Sequence, residues 1–260
     1  MRRIRTALAT VKNRLLFLAG KLECETHYYR PDRVILDYSG GNAQAPIFVV
    51  FHGGGWFAGT PNDVSHWSKY MAPYASRFLF VEYNVFAIHG GGIDRSISDA
   101  VEATLWAEKR FPNKKIILVG FSAGALLALH AAQAVASRIA GMILFSPVTD
   151  VGPEGYRNGM IPQARRADIS PDPAVFSQLP EDAFIGILHG ENDDVVPIEC
   201  SERFVAALPL SSERKPFVRI PDRNHGFQDH SMIDRSAALS EIEDILHKHG
   251  YSRRWTSKTG

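Results

Sequence analysis

Residues Ile116 to Ala132 read Ile-Ile-Leu-Val-Gly-Phe-Ser-Ala-Gly-Ala-Leu-Leu-Ala-Leu-His-Ala-Ala, and the rest of the chain is organised around them. The short apolar run 116–119 predicts a buried strand. Gly120-Phe121-Ser122-Ala123-Gly124 matches Gly-x-Ser-x-Gly, and an Ala/Leu-rich helix follows. Strand, tight turn and helix together predict a nucleophile elbow, which lifts the Ser122 hydroxyl above the sheet edge. The two glycines permit the close approach, and the helix N-terminus offers free N–H groups and a positive dipole end to a developing anion. The pentapeptide alone is weak, since Gly, Ser and Ala are common; its context gives it weight.

A hydroxyl becomes a useful nucleophile only beside a base, and the base needs a carboxylate to orient it. Both belong on loops after later strands, in the order Ser, acid, His. After the apolar run 184–188 comes His189-Gly-Glu-Asn-Asp-Asp-Val-Val-Pro197, a loop with three acids, Glu191, Asp193 and Asp194. After 217–220 comes Pro221-Asp-Arg-Asn-His-Gly-Phe227, which puts His225 in a loop before the last helix. Singly, His225 reads as a surface histidine and Asp193 as a turn residue. With the elbow they form a set.

An oxyanion hole needs backbone N–H groups, one from Ala123 and the rest from a glycine-rich loop after an earlier strand. Two loops qualify, 52–55 and 89–92. The first directly follows the apolar run 47–51 and is preferred; the second reads as a flexible loop at the rim. Trp56, Phe57 and Phe121 adjoin these loops and read as walls of the substrate pocket.

Strands at 34–38 (an edge), 47–51, 78–81, 116–119, 142–145, 184–188 and 217–220 alternate with helical patterns. Thr60-Pro61 opens one helix, and others run over 94–110 and beyond Ala238, with Gly250 as a C-cap. This predicts an α/β fold, a mostly parallel sheet covered on both faces. Residues 146–182, rich in Pro, Gly and Asp, leave the pattern and allow only a small or minimal cap.

Here a resemblance enters. His52-Gly-Gly-Gly-Trp56, Gly120-Phe-Ser-Ala-Gly124, the loop 189–197 and Asn224-His-Gly-Phe227 resemble α/β-hydrolase fold esterases, more narrowly the hormone-sensitive-lipase-like, acetyl-esterase and arylformamidase branches. The resemblance runs from about residue 33 to 250. It implies the α/β-hydrolase fold, a triad of Ser122, Asp193 and His225, and an oxyanion hole of Gly54, Gly55 and Ala123. It implies no cofactor. Where many relatives carry Asp-Tyr-Arg, this chain has Glu82-Tyr83-Asn84 and then the second glycine run.

The expected activity is cleavage of small-acyl carboxylic esters through an acyl-enzyme. The alternatives are an arylformamidase using the same triad on an N-formyl group, and, less favoured, a hydrolase-fold ligand receptor without turnover. Such receptors usually lack a triad member, and all three are present. A peptidase is disfavoured because relatives of that kind carry a large extra domain.

Composition agrees with these readings. The 260 residues are 45% hydrophobic and 22% charged, as in a globular domain. The net charge of +1 favours neither nucleic acid nor an acidic partner. Its distribution is uneven, because residues 1–22 carry six basic residues and 251–260 three, with no acid in either. Removing those nine from the 29 basic residues leaves 20 against 28 acidic ones in the body. Ile4, Leu8, Val11, Leu15, Leu18 and Leu22 recur at steps of four and three, which predicts an amphipathic basic helix over 1–22. Packing on the domain 23–250 is favoured over a flap or a membrane-surface contact. Cys24 and Cys200 suit neither a disulfide framework nor a metal, and no Asp, Glu and His cluster at metal-ligand spacing. A cleavable signal is not convincing, because Lys12 and Arg14 interrupt its apolar region, so the expected location is cytoplasmic.

Overall fold

The computed structural model describes residues 23–157, 159 and 161–254. The amphipathic stripe at 1–22 and the last six residues of the basic tail lie outside the described residues. In chain order the elements are β1 (Cys24–Arg30), β2 (Arg33–Ser39), β3 (Ile47–Phe51), α1 (Trp67–Met71), β4 (Arg77–Val81), α2 (Phe86–His89), α3 (Ile93–Arg110), β5 (Ile116–Phe121) and α4 (Ala123–Ala134). There follow β6 (Ile139–Phe145), α5 (Arg166–Ile169), β7 (Phe184–Gly190), α6 (Ile198–Ala207), β8 (Phe217–Ile220), α7 (Phe227–His230) and α8 (Met232–Lys248).

The strands form one sheet in the order β1-β2-β4-β3-β5-β6-β7-β8. The first two pairings are antiparallel and the other five parallel. Side chains alternate between two apolar layers, as period two requires. Val49, Phe51 and Leu118 face the layer that holds α3 and α4, whereas Phe48, Val50 and Val119 face the one that holds α1 and α8. Both faces are covered, so the central strands are continuous apolar runs. No helix among the described residues is long and apolar enough to cross a membrane.

The sheet edge differs from the expectation. Segment 34–38 lies second in the sheet, and the edge is β1, Cys-Glu-Thr-His-Tyr-Tyr-Arg, which is only partly buried and has no apolar alternation to announce it. The pattern begun at Thr60 is also shorter than a full helix. Asp63 accepts the Thr60 N–H at 2.8 Å around a single 3₁₀ turn, and α1 then runs only to Met71, where Ala72-Pro73 stops it.

Polar links tie the edge to the body. Asp99 of α3 is fully buried and accepts from Arg33 Nε and from the Asn84 N–H, both at 2.9 Å; Arg30 pairs with Asp99 and Glu102. Beyond β6, the described residues of 146–182 contribute turns, 3₁₀ segments at Gln163–Arg165 and Pro173–Gln178, and the four-residue α5.

Candidate active site

β5 and α4 are joined by one residue, Ser122, with φ 52° and ψ −118°. A non-glycine residue there is strained and persists only when its surroundings over-determine it. Three backbone bonds do so. Ser122 donates its N–H to Phe145 O at 2.8 Å, and its own carbonyl accepts from Ala125 at 3.0 Å and Val148 at 3.2 Å. The flanking glycines are required by space. A Cβ on Gly120 would lie 2.4 Å from Ala125 Cα, and one on Gly124 would lie 2.3 Å from His52 O.

The three residues from distant loops converge. His225 Nδ1 stands 2.8 Å from Asp193 Oδ2 and 3.1 Å from Oδ1, and its Nε2 stands 2.9 Å from Ser122 Oγ. A carboxylate can only accept, so Nδ1 carries the proton and Nε2 is left to accept the serine hydroxyl. The Asp193 side chain is buried and His225 one-fifth exposed. Burial alone would raise the Asp193 carboxyl. The bonds from His189, His225 and the Val196 N–H outweigh that and hold it well below the usual carboxylate range. Asp194 is exposed and does not cap α6, which begins behind Pro197 without a side-chain cap. Instead Asp193 itself accepts from Val195 N at 3.0 Å and Val196 N at 2.8 Å.

The two glycine runs sit differently. A Cβ on Gly53 would lie 3.4 Å from Ser122 Cβ, which puts the first run against the elbow. Gly54 and Gly55 have φ 111° and 61°, and Ala123 is the first residue of α4, where no helical carbonyl can reach its N–H. In the second run Gly91 packs on the Asn84 side chain. The preceding segment is not loose, since Phe86 and Ala87 donate to Trp56 O and Phe57 O, each at 2.9 Å.

Of the three rings read as pocket walls, Phe57 alone is half exposed, and it stacks on Phe86 at 6.0 Å. Phe121 is buried against Phe145 at 4.6 Å in the layer beneath the elbow. Trp56 is buried on the other layer, where its indole N–H donates to Ala123 O at 3.1 Å. Neither ring presents accessible surface. An apolar gap of about 20 Å³ adjoins Phe121, Trp67 and Phe145, and an open groove of about 540 Å³ runs past Asn192, Arg223 and Ile233 beside the His225 loop.

Two features carried no sequence signal. The Tyr83 hydroxyl donates to His52 O at 2.6 Å and so holds the first glycine run; only the structure shows which way that ring points. Glu25, His27 and Asp37 meet across β1 and β2, brought together by the hairpin's register, but Asp37 already binds Arg77 Nε at 2.6 Å.

The sheet order and the strained serine at the end of β5 define an α/β-hydrolase fold. A family model described as the alpha/beta hydrolase fold matches residues 48–172. The versiconal hemiacetal acetate esterase of Aspergillus parasiticus is 28% identical over 144 residues, 51% of this chain and 45% of that protein, so the match spans less than half of the relative's length. Among solved structures, Thermogutta terrifontis esterase 2 phosphonylated by cyclosarin superposes with a TM-score of 0.73 at 23% identity, covering 88% of this chain and 95% of that one. The butyrate-bound form of the same esterase gives a TM-score of 0.69 at 20% identity, covering 91% and 96%.

Proposed function

We propose that this chain is a serine hydrolase of carboxylic esters with small acyl groups. The observation that carries the proposal is the continuous hydrogen-bonded path from Asp193 through His225 to the hydroxyl of a strained Ser122. In this reading residues 23–250 make up the catalytic unit. Ser122 Oγ attacks the ester carbonyl as His225 Nε2 takes its proton. Asp193 orients the ring and stabilises the imidazolium. The N–H groups of Gly54, Gly55 and Ala123 receive the tetrahedral oxygen. The imidazolium then protonates the leaving alkoxide, the alcohol departs, and water activated by the same histidine releases the acid.

Small acyl groups are favoured because the described residues of 146–182 form only short helical turns, which leaves little to enclose a long acyl chain. The acetate ester in the name of the Aspergillus relative and the butyrate in the Thermogutta esterase support the same range.

A fluorophosphonate probe should label Ser122, and Ser122→Ala should abolish labelling and lower turnover of p-nitrophenyl acetate by about 10³ or more while the protein stays folded. Near-normal turnover in that variant would end this reading.

A further inference from the structure

The path through Asp193 does not end at His225. His189, at the end of β7, is fully buried. Its Nε2 stands 3.1 Å from Asp193 Oδ2 and 3.0 Å from Val196 O, and its Nδ1 stands 2.8 Å from Ser201 Oγ on α6. Both neighbours of Nε2 are acceptors, so Nε2 carries the proton. Nδ1 is therefore bare and takes the Ser201 hydroxyl proton. The acceptors at Nε2 thus select the tautomer, and the Ser201 hydroxyl holds the ring in place through Nδ1.

The two oxygens of Asp193 are held separately. Oδ1 takes the amides of Val195 and Val196. A carboxylate held by one oxygen can still rock about that contact, and the second oxygen is the one His225 approaches most closely. The Nε2–H of His189 donates to Val196 O and also reaches that oxygen at 3.1 Å, so that one proton ties it to the strand end. The charged groups on the elements around His189 are engaged or turned outward. Arg219, opposite it on β8, pairs with Glu202 of α6; Arg203 binds Asp150; Glu191 and Asp194 are exposed.

We propose that His189 and Ser201 are positioning residues, Ser201 holding the His189 ring through Nδ1 and His189 holding Asp193 Oδ2 in line with the Nδ1–H of His225. The proposal rests on the serine-hydrolase reading above. A ring present only for packing would affect how much protein folds, not how fast each folded molecule turns over.

The test compares His189→Phe, His189→Gln and Ser201→Ala. Active sites are counted with a fluorophosphonate, and kcat and KM for p-nitrophenyl acetate are measured from about pH 5 to 9. His189→Phe keeps the volume and loses the donor; kcat per labelled site should fall roughly 10- to 100-fold, the size typical of removing an outer partner, with KM nearly unchanged. The acid limb of kcat/KM should move to higher pH, because Asp193, relieved of a donor, holds the His225 proton more strongly. His189→Gln, whose amide N–H reaches a similar point, should recover most of kcat, and Ser201→Ala should fall between. Unchanged kcat per site and an unmoved acid limb in His189→Phe would overturn the proposal. Should that variant not fold, the same result in Ser201→Ala would overturn it. A wild-type protein unlabelled at Ser122 would instead bring down the hydrolase reading on which it rests.

Discussion

Asp193 and Asp194 are adjacent, yet the loop turns one side chain into the protein and leaves the other in solvent. Asp193→Asn would therefore deprive His225 of its anion and favour the wrong tautomer, lowering kcat by about 10⁴. Asp194→Asn should stay within a few-fold of wild type, as surface substitutions do; a reversed order in steady-state assays would mean that Asp194 is the acid. His52 gives a pH prediction. Burial, opposed by its bond to the Gly53 carbonyl, pushes His52 down from 6.5 to about 4. Between those values the unfolded chain takes up a proton that the folded one refuses, so stability rises with pH across that window and is lost as pH falls toward 4. The span corresponds to about 3 kcal/mol. Urea midpoints at about pH 7 and 5 should diverge less in His52→Asn than in wild type, and parallel shifts would remove His52 as the cause. At this scale the meeting of Ser122, Asp193 and His225 was legible in the sequence because each follows a strand in a set order. The directions of Trp56, Phe121 and His189 could not. Whether a ring beside a glycine run faces a pocket or the core depends on one backbone angle, here a φ of 60° at Trp56.

Elements were legible where apolar residues recur. β3, β5, β7 and β8 start where their runs predict. β1 was missed because an edge strand half in solvent needs no such run. That strand is anchored by charge, which motif reading passes over. Asp99→Leu would take from Arg33, itself buried, its buried carboxylate and leave it only the half-exposed Asp32; breaking one side of a buried pair costs about 3–5 kcal/mol. The Lys115–Asp182 pair is exposed on both sides, so Asp182→Ala should cost about 0–1 kcal/mol. Urea denaturation of the two variants checks the contrast, and equal losses would mean that the buried network is not what holds the edge.

For the whole molecule, the absence of a long insertion at 146–182 was readable from its length and its Pro, Gly and Asp content, and the described residues there form turns, two short 3₁₀ segments and α5. A series of p-nitrophenyl esters should give kcat/KM peaking at roughly two to four carbons, since overfilling a packed site costs on the order of 1–3 kcal/mol. A maximum at decanoate would overturn the small-acyl reading.

From β3 outward the strands β5, β6, β7 and β8 are laid side by side in the order in which the chain is made. A nascent polypeptide leaving the ribosome therefore carries the first glycine run and Ser122 well before Asp193, and Asp193 before His225. On the proposed reading, Ser122 is an ordinary alcohol until residue 225 has been added. Chemical competence would then arrive last, so an unfinished or C-terminally clipped chain would be silent rather than errant.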